Sequence, residues 1–193
     1  MRKLIYVTLI AWVTFSIQSC SGPNGSKAGA NSVNDTKADV AKNDSTIVAV
    51  DKDDAKFAVA AANGGMGEVE MGKLAQEKAV NAKVKDYGAM MVNDHSKVND
   101  ELKALAKSKG ITLPGVLDKD EQNAKDKLSA KSGTDFDKAY VKSMVDDHKA
   151  DIKDFEKAAK NLKDPDLKAF ALKTLPILNK HLETIEKIHN GMK

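Results

Sequence analysis

Over residues 51–193 the apolar side chains recur with a helical period, and few folds can accommodate that pattern. Four long segments carry apolar residues at alternating steps of three and four, which is the period of one buried helix face. Asn81, Gly110 and the pair Asp164-Pro165 separate these segments, and residues of these types begin or end helices. No segment shows the strict alternation of a strand. The spacing therefore predicts an all-α four-helix bundle.

The ends of these segments predict four helices, A to D, joined as two hairpins. The predicted bounds are residues 53–79 (A), 82–108 (B), 134–162 (C) and 165–191 (D), with a short helix indicated within residues 117–128. Asp53 or Asp54 is the expected N-cap of helix A, and Thr134 with Asp137 has the spacing of a capping box at the start of helix C. Pro176 is expected to kink helix D. The long B–C connection can cross the bundle from end to end, as in ferritin-like topology.

The start of the chain has the pattern of a lipoprotein leader. A short cationic start precedes the mostly apolar run Leu4–Ile17, which is too short to span a bilayer comfortably and is typical of a secretory signal peptide. The run ends in Ile17-Gln18-Ser19-Cys20, which resembles a bacterial lipobox. Residues 1–19 are therefore expected to be removed, and Cys20 to be lipidated and to anchor the chain to a membrane. The alternative is an ordinary signal peptide with a free cysteine nearby.

Residues 20–50 differ in composition from the helical region that follows. They are rich in Gly, Ser, Asn, Asp, Lys and Ala, and they lack an apolar period. Such a segment cannot bury a core, so we expect a flexible tether at residues 20–50 and the bundle domain at residues 51–193.

Composition excludes several classes of function. The 31 Lys and Arg residues nearly balance the 28 Asp and Glu residues, and the net charge of +3 is too small for a strongly basic nucleic-acid binder. The single cysteine excludes an intrachain disulfide framework and a cysteine-rich metal site. The chain has no Gly-rich phosphate loop and no Gly-x-Ser-x-Gly motif, so no reaction is indicated.

One titratable side chain interrupts the apolar seam of each predicted helix. These residues are Glu68 on helix A, His95 on helix B, His148 on helix C and His181 on helix D. Within each hairpin, the two residues are at similar distances along the chain from the turn. In a crossover bundle both pairs fall near mid-height, so three imidazoles and one carboxylate are expected to converge in the core.

A buried carboxylate and three imidazoles need partners, because unpaired buried polar groups are costly. A divalent transition metal would satisfy all four, with copper, zinc, iron and manganese left open. The alternative is a Glu–His hydrogen-bond network, or histidines turned to the bundle surface. Three nearby methionines would favour copper as ligands, but core filling is the preferred interpretation of Met71, Met91 and Met144. Diiron is disfavoured because Val92 and Val145 stand where its Glu-x-x-His motif needs glutamate.

Two of these histidines end similar five-residue segments. Met91-Val92-Asn93-Asp94-His95 resembles Met144-Val145-Asp146-Asp147-His148. Asp94 and Asp147 point away from the seam, so we expect them to be solvated or to support ligands rather than to bind the metal. His189 is expected to be an exposed residue at a helix end, where the dipole favours it.

The region from Phe57 to His189 resembles the bacterial family known as domain of unknown function 4142, often described as predicted outer membrane proteins. The matching segments are Gly65-Met66-Gly67-Glu68-Val69, Met91-Val92-Asn93-Asp94-His95, Gly110-Ile111-Thr112-Leu113-Pro114, Phe136-Asp137-Lys138-Ala139-Tyr140, Asp147-His148, Leu175-Pro176 and His181-Leu182. The resemblance implies a ferritin-like bundle in the bacterial envelope, with the outer membrane favoured, and no established activity. Glu68, His95, His148 and His181 all fall on its motif positions.

Three functions are consistent with these observations. The first is a metal-binding envelope lipoprotein for storage, buffering or redox handling. The second is a non-enzymatic structural or interaction lipoprotein whose Glu–His layer serves core specificity. A metalloenzyme ranks lowest, because four protein ligands would close a tetrahedral site.

Overall fold

The computed structural model describes residues 25–43 and 50–192, and these are almost entirely helical. The helices are α1 (Lys27–Asn43), α2 (Lys52–Lys78), α3 (Ala82–Ser108), α4 (Lys119–Ser129), α5 (Gly133–Asn161) and α6 (Pro165–Gly191). The predicted all-α bundle is therefore confirmed, and helices A to D correspond to α2, α3, α5 and α6 to within one residue. None of the described helices is long and apolar enough to cross a membrane. The predicted signal peptide at residues 1–19 and the lipidation site Cys20 lie outside the described residues.

The bundle consists of two antiparallel hairpins, α2–α3 and α5–α6, that point in opposite directions. Asp137, near the start of α5, accepts hydrogen bonds from the backbone N–H groups of Val80 (3.2 Å) and Asn81 (2.8 Å) in the α2–α3 turn. At the other end of the bundle, the ammonium of Lys109, just after α3, lies 2.6 Å from the carboxylate of Asp164 in the α5–α6 turn. The connection from α3 to α5 therefore runs the length of the bundle, as predicted, and α4 lies within it.

At the end of the bundle that contains the α5–α6 turn, Asp54 has the same role that Asp137 has at the other end. Asp54, near the start of α2, accepts hydrogen bonds from the backbone N–H groups of Lys163 (3.0 Å) and Asp164 (2.6 Å) in the α5–α6 turn. Each hairpin thus supplies a buried carboxylate that satisfies the backbone of the other hairpin's turn.

These contacts correct two predicted caps. Asp51, rather than Asp53 or Asp54, is the N-cap of α2, and its side chain accepts from the N–H of Asp53. Helix α5 begins at Gly133 after Ser132, so Thr134 and Asp137 form no capping box. Asp54 and Asp137 have the sequence spacing of local caps, but each binds the turn of the opposite hairpin. They do so because the backbone N–H groups of an isolated turn have no partners. The predicted caps Asn81 and Asp164 are confirmed.

Two apolar clusters fill the core, with the polar residues of the seam between them. The first cluster lies towards the α2–α3 turn and includes Tyr87 and Tyr140. The second lies towards the α5–α6 turn and includes Leu102 and Phe155. Helix α6 continues without interruption through Pro176.

Helix α1 corrects the prediction of a flexible tether at residues 27–43, whereas residues 20–24 and 44–49 of that segment lie outside the described residues. Ala30, Asn34 and Ala38 recur every fourth residue and are buried, so α1 presents a narrow stripe of small side chains to the rest of the fold. The amide of Asn34 donates to the carbonyl of Thr112 (2.9 Å) and accepts from the N–H of the same residue (2.8 Å). The prediction failed because this stripe contains too few large apolar residues to show an amphipathic period.

Candidate metal centre

The structure brings together the four side chains that interrupt the seams. Glu68 lies on α2, His95 on α3, His148 on α5 and His181 on α6. Their exposed fractions are 5%, 3%, 0% and 0%, so all four are removed from solvent. Each helix buries its residue because the neighbouring seam positions are apolar, and the two hairpins set the four at one height.

The three imidazoles converge through one nitrogen each. The Nδ1 atom of His181 lies 3.3 Å from Nε2 of His95 and 3.4 Å from Nε2 of His148. Their ligand atoms all lie within 4.8 Å of one another, and these histidines could hold a metal ion. We refer to these three nitrogens as the inner nitrogens.

The other nitrogen of each ring contacts an atom that can only accept a hydrogen bond. Nδ1 of His95 lies 2.8 Å from Oε2 of Glu68, and Nε2 of His181 lies 3.1 Å from Oδ2 of Asp94. Nδ1 of His148 lies 2.9 Å from the backbone carbonyl oxygen of Met144. With Glu68 and Asp94 ionised, these carboxylate and carbonyl oxygens accept, so each outer nitrogen carries the proton and a neutral ring turns a lone pair inwards. Metal-binding histidines have this pattern of partners.

Burial keeps these imidazoles neutral. Desolvation lowers the pKa of His95 to about 4 and that of His148 to about 4, although the neighbouring carboxylates oppose this shift. Burial likewise lowers the pKa of His181, against its hydrogen bond to Asp94. At neutral pH all three rings therefore have a lone pair available for a cation.

Glu68 has one oxygen with a partner and one without. Its Oε2 accepts from His95, while its buried Oε1 has no hydrogen-bond donor among the described residues and lies 3.5 Å from Nε2 of His148. Desolvation raises the pKa of Glu68 to about 7, although His148 has the opposite effect. A cation at the inner nitrogens would satisfy this oxygen and favour the ionised form.

The spacing of these atoms matches a known coordination geometry. In a tetrahedral site with bonds of about 2.0–2.1 Å, neighbouring ligand atoms lie about 3.3–3.4 Å apart. The two inner-nitrogen distances of 3.3 and 3.4 Å and the 3.5 Å between Glu68 and His148 agree with three edges of such a tetrahedron. These three distances are therefore compatible with a site for a small divalent ion.

Two tyrosines cover this layer on the side of the first cluster. The ring of Tyr87 lies 6.4 Å from the ring of His148 and 6.4 Å from that of His181, measured between centroids. The hydroxyl groups of Tyr87 and Tyr140 are buried and have no hydrogen-bond partner among the described residues. Burial raises the pKa of both tyrosines far above the usual value, so both remain neutral phenols.

The structure also locates the aspartates, the methionines and the fourth histidine that the sequence analysis considered. Asp94 supports His181, whereas Asp147 accepts a hydrogen bond from Ser143 at 3.0 Å and contacts no histidine ring nitrogen within hydrogen-bonding distance. Met71, Met91 and Met144 are buried in the first cluster, in agreement with core filling. His189 is partly exposed in the last turn of α6.

The sequence interpretation missed one acidic residue next to the centre. Asp151 lies one turn after His148, and its carboxyl group is within hydrogen-bonding reach of Glu68. Burial, then the charge of Glu68, raises the pKa of Asp151 to about 9. Its spacing of three residues from His148 was an available signal, since residues at i and i+3 share one helix face. Glu121 of α4 is also half-buried nearby, and burial raises its pKa to about 7.

Comparison with protein families gives one match. Residues 39–188 match a family described as domain of unknown function (DUF4142), and this range contains all four residues of the centre. Comparisons with curated proteins and with solved structures find no match. Since the match covers well over half of the sequence, the chain belongs to the DUF4142 family.

Proposed function

We propose that this protein binds one transition metal ion at His95, His148 and His181, with Glu68 as the fourth ligand. The observation that carries the proposal is the orientation of the three imidazoles. Their outer nitrogens all face acceptors, so three inner lone pairs face one another at 3.3 and 3.4 Å. Neutral rings held in this way repel one another unless a cation lies between them.

The donor set narrows the choice of metal. Imidazole suits zinc and copper, and a tetrahedral set of three imidazoles and one carboxylate is typical of zinc. Iron and manganese prefer more oxygen ligands and higher coordination numbers, so they rank lower for this position. Four protein ligands leave no open position in a tetrahedral site, which favours storage, buffering or a structural role over catalysis.

A structural role without metal is the second candidate. The 2.8 Å contact between His95 and Glu68 is also what a hydrogen-bonded core layer would contain. Such a layer would specify the pairing of the two hairpins. It leaves the inner nitrogens facing one another at 3.3 and 3.4 Å with no cation between them, and for that reason we rank it second.

The location is part of the same proposal. The leader pattern supports an envelope lipoprotein anchored to a membrane through Cys20, with the outer membrane favoured by the family resemblance. The test is mass analysis of the mature N-terminus and fractionation of Cys20→Ser cells. Acylated wild type in the membrane fraction and soluble variant would support the anchor, whereas an unmodified cysteine would contradict it.

The experiment for the metal is elemental analysis of the full chain, purified in detergent without chelators or a histidine-rich tag. We expect near-stoichiometric zinc or copper in the wild type and its loss in His148→Ala. His189→Ala is the matched control, because His189 is the remaining histidine and lies outside the centre. Absence of metal in all three proteins, even after reconstitution, would reject the proposal and leave the hydrogen-bonded layer.

A further inference from the structure

A small cavity lies beside the candidate metal centre, on the side of the second cluster. Its volume is about 20 Å³. The polar residues in its wall are Glu68, His95, Asn99, Asp151 and Thr174. A volume of about 10–15 Å³ is needed for one water molecule, so the cavity has room for a single ion or water and none for an organic ligand.

Two carboxyl groups meet in the wall of this cavity. Glu68 and Asp151 lie within hydrogen-bonding reach of one another, but both are acceptors when ionised. Oε1 of Glu68, in a residue that is 95% removed from solvent, has no donor among the described residues. No lysine or arginine lines the cavity in the described part of the chain. This pair therefore requires either a shared proton or a bound cation.

A third oxygen comes from Asn99. A Cβ atom at Gly65 would collide with Oδ1 of Asn99, so the absence of a side chain on α2 makes room for this amide at the cavity. The cavity thus has two carboxylates and one amide that can supply oxygen ligands. Such a set suits hard divalent cations such as manganese rather than the softer ions that imidazoles prefer.

We propose that this cavity is a second cation position, in which Glu68, Asp151 and Asn99 bind a hard divalent ion next to the ion at the three histidines. The inference rests on the proposed function, because the carboxylate of Glu68 is shared and bridges the two positions. Glu121 and Asp147, both half-buried and acidic, lie near enough to affect the charge of this carboxylate and add negative potential.

The test uses Mn²⁺ as the probe and the zinc-loaded full chain as the protein. Mn²⁺ binding is followed through the loss of the free-ion signal in electron paramagnetic resonance. We expect one Mn²⁺ per zinc-loaded chain, with affinity at least about tenfold weaker in Asp151→Asn, since a charged ligand is lost. Asn99→Ala should weaken binding in the same direction. Asp135→Asn is the matched control, because Asp135 is an exposed aspartate near the start of the same helix.

Zinc content is measured on every variant and separates the two proposals. Zinc retained at one per chain shows that a variant is folded and that the histidine position is intact. Equal Mn²⁺ binding in wild type and Asp151→Asn, or none in wild type, would overturn the second position and leave a proton between the two carboxyl groups. If neither zinc nor copper binds to the wild type, the proposed function fails. In that case Mn²⁺ binding is compared between the metal-free wild type and metal-free Asp151→Asn. Weaker binding to the variant would still support a cation position in the cavity, and equal binding would overturn it.

Discussion

The two ring nitrogens of each histidine have separate tasks at the candidate centre. His181 differs from its neighbours because it turns Nδ1 inwards and holds Asp94 with Nε2, whereas His95 and His148 turn Nε2 inwards. Which nitrogen faces the centre depends on the acceptor that each helix places behind the ring. Asp94 is therefore a positioning residue for His181, a proposed ligand on a different helix.

Removing the acceptor behind His181 should weaken metal binding, although no ligand is lost. We expect Asp94→Ala to lower zinc affinity about 10–100-fold and to retain one zinc per chain, which is the usual effect of losing a partner of a ligating histidine. Competition with a chromophoric chelator measures this. Asp86→Ala, an exposed aspartate on the same helix, is the control and should bind as the wild type does. Equal affinities for the two variants would show that Asp94 does not orient His181.

Asp151 should make the metal-free chain less stable at high pH. Its pKa is raised from 3.8 to about 9, so the folded chain keeps a proton that the unfolded chain has already lost between these values. The free energy of unfolding must then fall as pH rises, by at most about 1.4 kcal/mol per pH unit for this group.

The substitution Asp151→Asn should remove this fall of the free energy of unfolding with rising pH. In the presence of a chelator, we expect the variant to be more stable than the wild type at pH 8, and the difference to shrink towards pH 5. Urea unfolding at both pH values measures this, with Asp135→Asn, an exposed position of the same helix, as the control. A difference that does not change with pH would mean that Asp151 has an ordinary pKa.

Among the elements, α2 owes its close packing to glycines in its middle. A Cβ at Gly72 would lie 2.8 Å from the backbone carbonyl oxygen of Gly88 in α3, which cannot move aside without separating the two helices. At Gly64 nothing lies within 4 Å of the added atom. Gly72 therefore has no room for a side chain, whereas Gly64 in the same helix does.

These two glycines give a matched pair of substitutions. We expect Gly72→Ala to destabilise the chain by about 1–3 kcal/mol through overpacking. Gly64→Ala should be neutral or stabilise it by up to about 1 kcal/mol, because alanine favours the helix. Urea denaturation of both variants is the measurement. A gain of stability in both would show that helix propensity, and not the approach of α3, governs this region.

Over the whole molecule, α1 fastens the long connection between the hairpins. Asn34 binds both backbone groups of Thr112, and Lys37 donates to the carbonyl of Gly110 at 2.8 Å. The N–H groups of Gly115 and Val116 donate to the carbonyl oxygen of Gly25. Residues 25–43 are thus held against the connection and do not form a free tether.

Loss of this contact should loosen the connection and leave the core intact. We expect Asn34→Ala to accelerate hydrogen exchange at Thr112 and its neighbours, since their backbone groups lose fixed partners. Exchange at the buried turns of α3 and α6 should not change. Thr36→Ala is the control, because Thr36 is exposed and bonds only within α1. Identical exchange in both variants would show that α1 does not order the connection.

The helical period and the turn residues were sufficient to predict the bundle and the meeting of Glu68, His95, His148 and His181. Periodicity determines which face of a helix is buried, and the distance of each residue from its turn determines its height. Both quantities are local, so the sequence contains them.

Only the tertiary structure decided what each polar group contacts. Asp54 and Asp137 have the spacing of local caps but bind the turn of the opposite hairpin, and Asp151 meets Glu68 across two helices. Such partners lie far apart in sequence, and a small rotation of either helix would exchange them. By itself the sequence therefore determined the four long helices of the bundle and the height of the polar layer. The packing of the two hairpins decided which nitrogen, oxygen and cavity face one another, because those contacts depend on the relative rotation of helices that no local pattern encodes.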